Sequence, residues 1–127
     1  MYRDSPEDRL YKTVIDRLVR DCRRGQGQIG KKRAIAGVWN ANATAATPDL
    51  RDQYEANLLL ARLPRKDRQV IARLLEEAFV GGVHQALVAL HEEEVAPFAQ
   101  AYEGTPFHDF VGRLDGWKWP KGSPRQE

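Results

Sequence analysis

The sequence predicts an all-α protein: a single-domain bundle of five to six helices with an extended, tryptophan-containing C-terminal segment. Two observations lead to this prediction. Apolar residues recur at the three- and four-residue spacing of amphipathic helices, and no stretch shows the alternation of a half-buried strand. With 127 residues, the chain can build one core. We therefore expect one domain over residues 1–120 and a flexible tail over residues 121–127.

The first helix carries the clearest start signal. Ser5 suits the N-cap position, Pro6 suits the first turn, and Asp8 completes a weaker version of the capping box. A stripe of apolar residues then follows the helical period. It consists of Leu10, Tyr11, Val14, Ile15, Leu18, Val19 and Cys22. Arg23, Arg24 and Gly25 are typical of a helix end.

The middle of the chain gives weaker signals. Residues 25–30 are predicted to form a flexible connection, and residues 31–42 a short helix. Thr47 and Pro48 mark another start, of a helix that runs to about Arg62 with Leu50, Tyr54, Leu58 and Leu59 facing inward. Pro64 restarts a helix beyond it.

The next helix contains a glycine pair, Gly81 and Gly82. The apolar pattern resumes in phase after the pair, at Val83 and Leu87, which predicts a continuous or mildly kinked helix that Pro97 brings to its end. Two glycines cost about 2 kcal/mol against alanines in a helix. We expect close approach of a neighbouring helix or a ligand to compensate for this cost.

Near the C-terminus, Thr105 and Pro106 predict a last short helix with Phe107, Phe110, Val111 and Leu114 on its apolar face. Trp117 and Trp119 follow two residues apart. Large aromatic side chains are costly to leave in water, so this segment is expected to lie extended across the core.

Charge is distributed unevenly along the chain. Residues 1–68 hold 15 basic and 9 acidic side chains, and residues 69–127 hold 5 and 9. Cations concentrate in the segment 17–33, which makes it a candidate binding surface for an acidic partner or a phosphate. The alternative is a solvated face that the acidic half neutralises. The candidate residues are Arg20, Arg23, Arg24, Lys31, Lys32 and Arg33.

Residues 25–31 match the glycine spacing of dinucleotide-binding and phosphate-binding loops. Those loops need a preceding strand, and here an arginine-rich helix precedes the loop. Lys32 also occupies the position of the magnesium-binding Ser or Thr. Classical nucleotide binding is therefore disfavoured, which leaves a looser anion site or a plain connection.

The histidines define a second candidate site. His84 and His91 lie two helical turns apart, about 10 Å along the axis, which is too far for two ligands of one metal on a straight helix. His108 and Asp109 can approach from the last helix. Polar boundary residues are the simpler interpretation, and we predict no metal and no cofactor. The candidate pocket comprises Gly81, Gly82, His84, His91, His108 and Asp109.

No catalytic set stands out. The two serines lie at a helix cap and in the tail, and Cys22 lies on the apolar stripe. A lone cysteine excludes an internal disulfide, no apolar run is long enough to span a bilayer, and the first residues lack the apolar region of a secretory signal. We expect a cytoplasmic protein without a membrane partner. Arginine outnumbers lysine 14 to 6, which fits a bacterial source.

Two segments resemble a known family. The segments 77–92 and 102–120 are similar to those of small bacterial all-helical proteins of unknown function. The resemblance implies no established activity. It does imply that the glycine pair, the histidines and the C-terminal segment belong to one structural unit.

Three hypotheses about function follow. The leading one is a non-enzymatic helical module that binds another protein or its own copy as a homodimer. The second is a nucleic-acid-binding protein that uses segment 17–33, which the net charge of only +2 weakens. The third is a small hydrolase or a ligand pocket around His84, His91 and His108.

Overall fold

A computed structural model describes residues 4–124. Helices, turns and loops account for all of these residues, with no strand among them, so the all-α prediction is confirmed. A single-turn 3₁₀ helix precedes α2 (Gln26–Gln28), and another precedes α3 (Pro48–Leu50). The α-helices are α1 (Pro6–Arg24), α2 (Ile29–Ala36), α3 (Arg51–Arg62), α4 (Arg65–Glu92) and α5 (Pro106–Leu114).

The described residues belong to two compact units. Unit 1 combines residues up to Asp21 with those from Val80 onward, and unit 2 runs from Cys22 to Phe79. The single-domain organisation over residues 1–120 stays a prediction. In residues 121–124, Gly122 is buried and its carbonyl accepts a hydrogen bond from the Tyr102 hydroxyl. Residues 125–127 of the predicted flexible tail lie outside the described residues.

The capping box of α1 forms as the sequence predicts. The Asp8 amide donates to Ser5 Oγ at 3.0 Å, and the Ser5 amide donates to Asp8 Oδ2 at 3.2 Å. Two backbone donors at the helix start are thereby satisfied by side chains. Tyr11 and Ile15, about one and two turns after Asp8, are fully buried, whereas Leu10, predicted to lie on the same apolar stripe, is 53% exposed.

The connection after α1 is a packed turn rather than the flexible segment that its glycines suggest. Gly27 is buried, and a Cβ placed on it would lie 2.8 Å from Cys22 Cα and 2.9 Å from Phe79 Cδ1. Only a residue without a side chain fits there. The glycine therefore allows close packing instead of mobility.

Helix α2 ends at Ala36, six residues before the predicted end. Gly37 adopts the left-handed conformation with φ 79°, and its amide donates to the carbonyls of Arg33 and Ala34. This is a common helix termination, because glycine pays no steric penalty in that conformation. The guanidinium of Arg68 donates to the Ile35 carbonyl at 2.7 Å and so satisfies another end group of α2.

The loop after α2 is held by one side chain, Asn57 of α3. Its carbonyl oxygen accepts from the amides of Trp39 and Asn40, and its amide group donates to the carbonyls of Asn40 and Ala43. The loop backbone is therefore satisfied by hydrogen bonds that sequence spacing does not reveal.

Helix α3 also departs from the prediction in detail. Thr47 makes no side-chain cap, because its hydroxyl bonds to Thr44 instead. Leu58 and Leu59, predicted to face inward, are each 43% exposed. Leu60 is the buried leucine of this helix, and it forms a core cluster of unit 2 with Ala34 and Ala72.

Helix α4 continues without a break through the glycine pair, which confirms that part of the prediction. The predicted close approach of a neighbouring helix is wrong. A Cβ placed on Gly81 or Gly82 would have no packing neighbour within 4 Å in the described chain, and both residues are exposed. The helix is long, but no described helix is long and apolar enough to cross a membrane.

We therefore expect Gly82→Ala to stabilise the fold by about 0.5–1 kcal/mol, since alanine restores helix propensity and meets open space. Urea denaturation at low protein concentration measures this. Gly27→Ala is the contrasting variant and should destabilise, because its methyl would meet backbone atoms of Cys22. A loss of stability in Gly82→Ala would contradict the expectation.

The cap that the sequence predicts for the last helix forms at Thr105. Thr105 Oγ1 accepts from the His108 amide at 3.2 Å, and Pro106 occupies the first turn of α5. Residues 115–124, which follow α5, are non-helical, and Trp119 lies among them with its ring centroid 5.3 Å from that of Tyr102 and 5.9 Å from that of Tyr11. Aromatic packing thus fixes the segment in unit 1.

Candidate functional site

Five cations of the predicted basic segment lie in unit 2. Arg23 and Arg24 are exposed at the end of α1, and Lys31, Lys32 and Arg33 lie on α2. Unit 2 as a whole holds 11 basic and 6 acidic side chains. Its surface therefore favours acidic partners. Arg20, the remaining candidate, is exposed on α1 in unit 1.

Two of these cations already have partners within unit 2. Lys31 Nζ lies 3.2 Å from Glu76 Oε2, and Gln28 donates a hydrogen bond to the same carboxylate. The hydrogen bond from Gln28, together with Lys31, holds the pKa of Glu76 below its ordinary value. The Arg33 guanidinium lies 5.4 Å from the Trp39 ring centroid, a cation–π distance.

The carboxylate of Glu76 bears directly on the predicted anion site. It lies against the turn that leads into α2, where the loop amides were expected to hold a phosphate. Among the described residues, Arg20, Arg23, Arg24, Lys32 and Arg33 are exposed and form no ion pair. In unit 2, Arg23, Arg24 and Lys32 have neither an ion pair nor a cation–π contact, so these three are its most accessible cations of the segment. Anion binding by the segment stays a prediction.

The three histidines gather around one aromatic ring, that of Phe107. The ring centroids of His84 and His108 each lie 5.0 Å from it, and that of His91 lies 6.4 Å away. His91 Nδ1 bonds to the Phe98 carbonyl, and His108 Nδ1 bonds to Thr105 Oγ1. His84 and His91 are half-buried and His108 is exposed, so the three histidines lie where the core of unit 1 meets solvent. Residues 4–124 contain no group of three or more His, Cys, Asp or Glu side chains able to hold a metal ion.

The hydrogen bonds that the Asp109 carboxylate makes in the described chain come from groups other than the histidines. Asp109 is fully buried, and its carboxylate accepts hydrogen bonds from the Tyr11 hydroxyl at 2.6 Å and from the amides of Tyr102 and Glu103 at 2.9 Å. Burial, with the hydrogen bond to Asp109, raises the pKa of Tyr11 well above its ordinary value, so the phenol stays protonated. This network is a structural anchor of unit 1.

A second polar anchor ties the C-terminal segment to α1. Arg113 Nε lies 2.7 Å from one oxygen of Asp16, and Trp119 Nε1 donates to the other at 3.0 Å. The Lys12 ammonium lies 5.2 Å from the Tyr102 ring centroid and 2.7 Å from Asp4. Sequence reasoning missed the contacts of Asp16 with Arg113 and Trp119, because these partners lie 97 and 103 positions away.

Sequence reasoning also missed the exposure of apolar side chains on α4. Val70 and Leu74 lie one helical turn apart on the same face, and Leu74 is 53% exposed. Ala78, Gly82 and Ala86 continue the four-residue spacing, and all three are exposed. The signal that could have shown this face is the four-residue spacing itself, which runs through the glycine pair.

Both ends of α4 carry exposed charges of one sign. Arg65 and Lys66 begin the helix, Glu92 ends it, and Glu93 and Glu94 lie in the turn that follows. None of these five side chains forms an ion pair with a residue that the structure describes. The face of α4 that carries Val70 and Leu74 thus lies between a cationic and an anionic end.

Comparison with known proteins identifies a family for this chain. The model of a family of unknown function, DUF6547, matches residues 4–121, which extends the similarity well beyond the C-terminal segments that suggested it. No curated protein and no solved structure matches the chain. Since the match spans nearly the whole chain, the protein belongs to this family of unknown function.

Proposed function

We propose that the chain is a non-enzymatic interaction module that binds another protein through the exposed face of α4. The observation that carries the proposal is the row of exposed apolar residues on this helix, from Val70 and Leu74 to the open glycine pair. Exposed apolar residues that lie next to one another mark interaction sites, whereas singly scattered ones are common on any protein surface. Because Gly81 and Gly82 have no packing neighbour within the described chain, a helix of another protein can approach the α4 backbone closely there.

The test compares two leucine variants of equal exposure. Leu74 on α4 and Leu10 on α1 are each 53% exposed. Leu74→Glu should weaken association by at least about tenfold, whether with a second copy or with a protein captured at stoichiometric amount, because a carboxylate would be desolvated in the contact. Leu10→Glu should leave association unchanged. Equal binding by both variants, or no association of the wild type with anything, would contradict the proposal.

A second candidate function is nucleic-acid binding by unit 2. It is favoured by Arg23, Arg24 and Lys32, which are exposed without ion pairs in the described chain. Each phosphate contact contributes about 0.9 to the salt dependence of binding.

Replacing these three residues together by alanine should therefore lower the slope of log K against log salt for duplex DNA by about 2–3 units. Lys31→Ala is the matched control and should leave the slope nearly unchanged, because Lys31 already pairs with Glu76. Absence of binding to DNA or RNA at low salt would remove this candidate.

The proposal also includes the broader organisation of the chain. It takes residues 1–120 as one helical bundle and the cytoplasm as the compartment. The sequence contains a single cysteine, the buried Cys22, and this cysteine usage supports a reducing environment. A pocket formed by the histidines around Phe107 stays a prediction beside it.

A further inference from the structure

The charges of α4 oppose its own dipole. The N-terminus of a helix carries partial positive charge and the C-terminus partial negative charge. Helix α4 nevertheless begins with Arg65 and Lys66 and leads into Glu92, Glu93 and Glu94. Asp67 in the first turn offsets only one of the cations. Since these five side chains lack ion pairs in the described chain, their arrangement calls for an external partner with the reverse polarity.

Between these charged ends lies a ridge with a gradient of size. Val70 and Leu74 are large, and Ala78, Gly82 and Ala86 are small, all at four-residue spacing and all exposed. The grooves beside a row with this spacing accept the side chains of another helix at a crossing angle of about 20°. The face that complements this ridge is small where Leu74 is large, and it is also small at Gly82, where small residues on both sides let the two helices approach closely.

We propose that a second copy of this chain covers the ridge, with the two α4 helices antiparallel, a proposal that rests on the interaction function above. About a crossing point at residue 80, Leu74 of one copy lies opposite Ala86 of the other, and Ala78 lies opposite Gly82. The same arrangement brings Arg65 and Lys66 to the glutamates of the second copy at both ends. Parallel pairing would instead place large residues against large ones and like charges together.

The reach of the side chains is sufficient for this pairing. Lys66 and Glu92, the last residue of α4, lie 14 and 12 positions from the crossing point, about 21 and 18 Å along the axis at 1.5 Å per residue. With an interaxial distance of about 8 Å and a crossing angle of about 20°, the axes are about 11 Å apart at the ends. Extended lysine and glutamate side chains span such a gap. One ion-pair cluster then lies at each end of the apolar contact, and the two clusters fix the antiparallel orientation of the helices.

Sedimentation of the wild type and the matched leucine variants tests the pairing. The wild type should show a species of twice the 14.5 kDa chain mass. Leu74→Glu should weaken self-association by at least about tenfold, whereas Leu10→Glu should change it by less than about twofold. A wild type that stays at the mass of one chain up to about 100 µM overturns self-pairing.

Reversal of the charges tests the orientation. Changing Arg65 and Lys66 to Glu, or Glu92 and Glu93 to Lys, should each weaken association by about tenfold, because like charges then meet. The two pairs of changes in one chain should restore it to within about threefold, since both contacts become complementary again. If only the helix dipole mattered, each reversal would raise the stability of the monomer and leave association unchanged. That result, or a combined variant weaker than either pair, overturns the antiparallel arrangement.

Cross-linking supplies an independent readout of the pairing. A carbodiimide joins an amine to a carboxylate without a spacer, and Lys66 lies about 39 Å from Glu92 along its own helix. A bond between Lys66 and Glu92, Glu93 or Glu94, formed between isotopically light and heavy chains, should appear in the wild type and disappear in Leu74→Glu. Its absence from a cross-linked dimer overturns the arrangement. A different protein bound at stoichiometric amount, and lost in Leu74→Glu, upholds the interaction function but overturns self-pairing.

Discussion

Asp109→Ala is expected to destabilise the protein by about 3–5 kcal/mol. The wild-type carboxylate is fully buried and accepts three hydrogen bonds, from the Tyr11 hydroxyl and from the amides of Tyr102 and Glu103. Its removal leaves the buried Tyr11 hydroxyl without an acceptor and releases the turn that precedes α5. Urea denaturation followed by circular dichroism measures the loss.

Two variants separate this network from general effects of substitution. Asp115→Ala removes an exposed carboxylate at the other end of α5 and should change stability by less than about 0.5 kcal/mol. Tyr11→Phe removes a single hydroxyl and should cost about 1–2 kcal/mol. Combined with Asp109→Ala it should add little, because the two residues share one hydrogen bond. An Asp109→Ala variant as stable as Asp115→Ala would contradict the assignment.

Two of the helix starts could be predicted because their capping is local. Ser5 contacts Asp8 and Thr105 contacts His108, each three residues away, and both caps form as the sequence indicates. The early end of α2 was also encoded locally, in Gly37, but the alanine-rich sequence around it favoured continuation. A local interaction is not always predictable, since the Thr47 hydroxyl bonds to Thr44 three residues away instead of capping the next helix.

The candidate sites depended on contacts over long separations. Asp109 follows His108 in the chain, which suggested a shared pocket, yet its partner Tyr11 lies 98 positions away. Lys31 is paired with Glu76 over 45 positions, which reduces the accessible charge of the basic segment. The glycine pair suggested an internal neighbour, and only the structure revealed open space there. Composition and periodicity cannot distinguish an internal neighbour from an external one.

Trp119→Ala is expected to be the most damaging change in the C-terminal segment, with a loss of about 3–5 kcal/mol. The indole ring packs against Tyr11 and Tyr102, and the Arg113 guanidinium lies 5.3 Å from its centroid. Its Nε1 donates to Asp16, so the substitution removes apolar packing, a cation–π contact and a hydrogen bond together. Thermal and urea unfolding measure the loss.

Two neighbouring substitutions identify which of these contributions dominates. Trp119→Phe keeps an aromatic ring but loses the bond to Asp16, and should cost about 1–2 kcal/mol. Lys118→Ala removes an exposed side chain from the same stretch and should stay within about 0.5 kcal/mol of the wild type. If Trp119→Phe were as damaging as Trp119→Ala, the hydrogen bond to Asp16 would be the main anchor. If Trp119→Ala matched Lys118→Ala, the segment would contribute nothing to the stability of unit 1, contrary to the packing of Trp119 on Tyr11 and Tyr102.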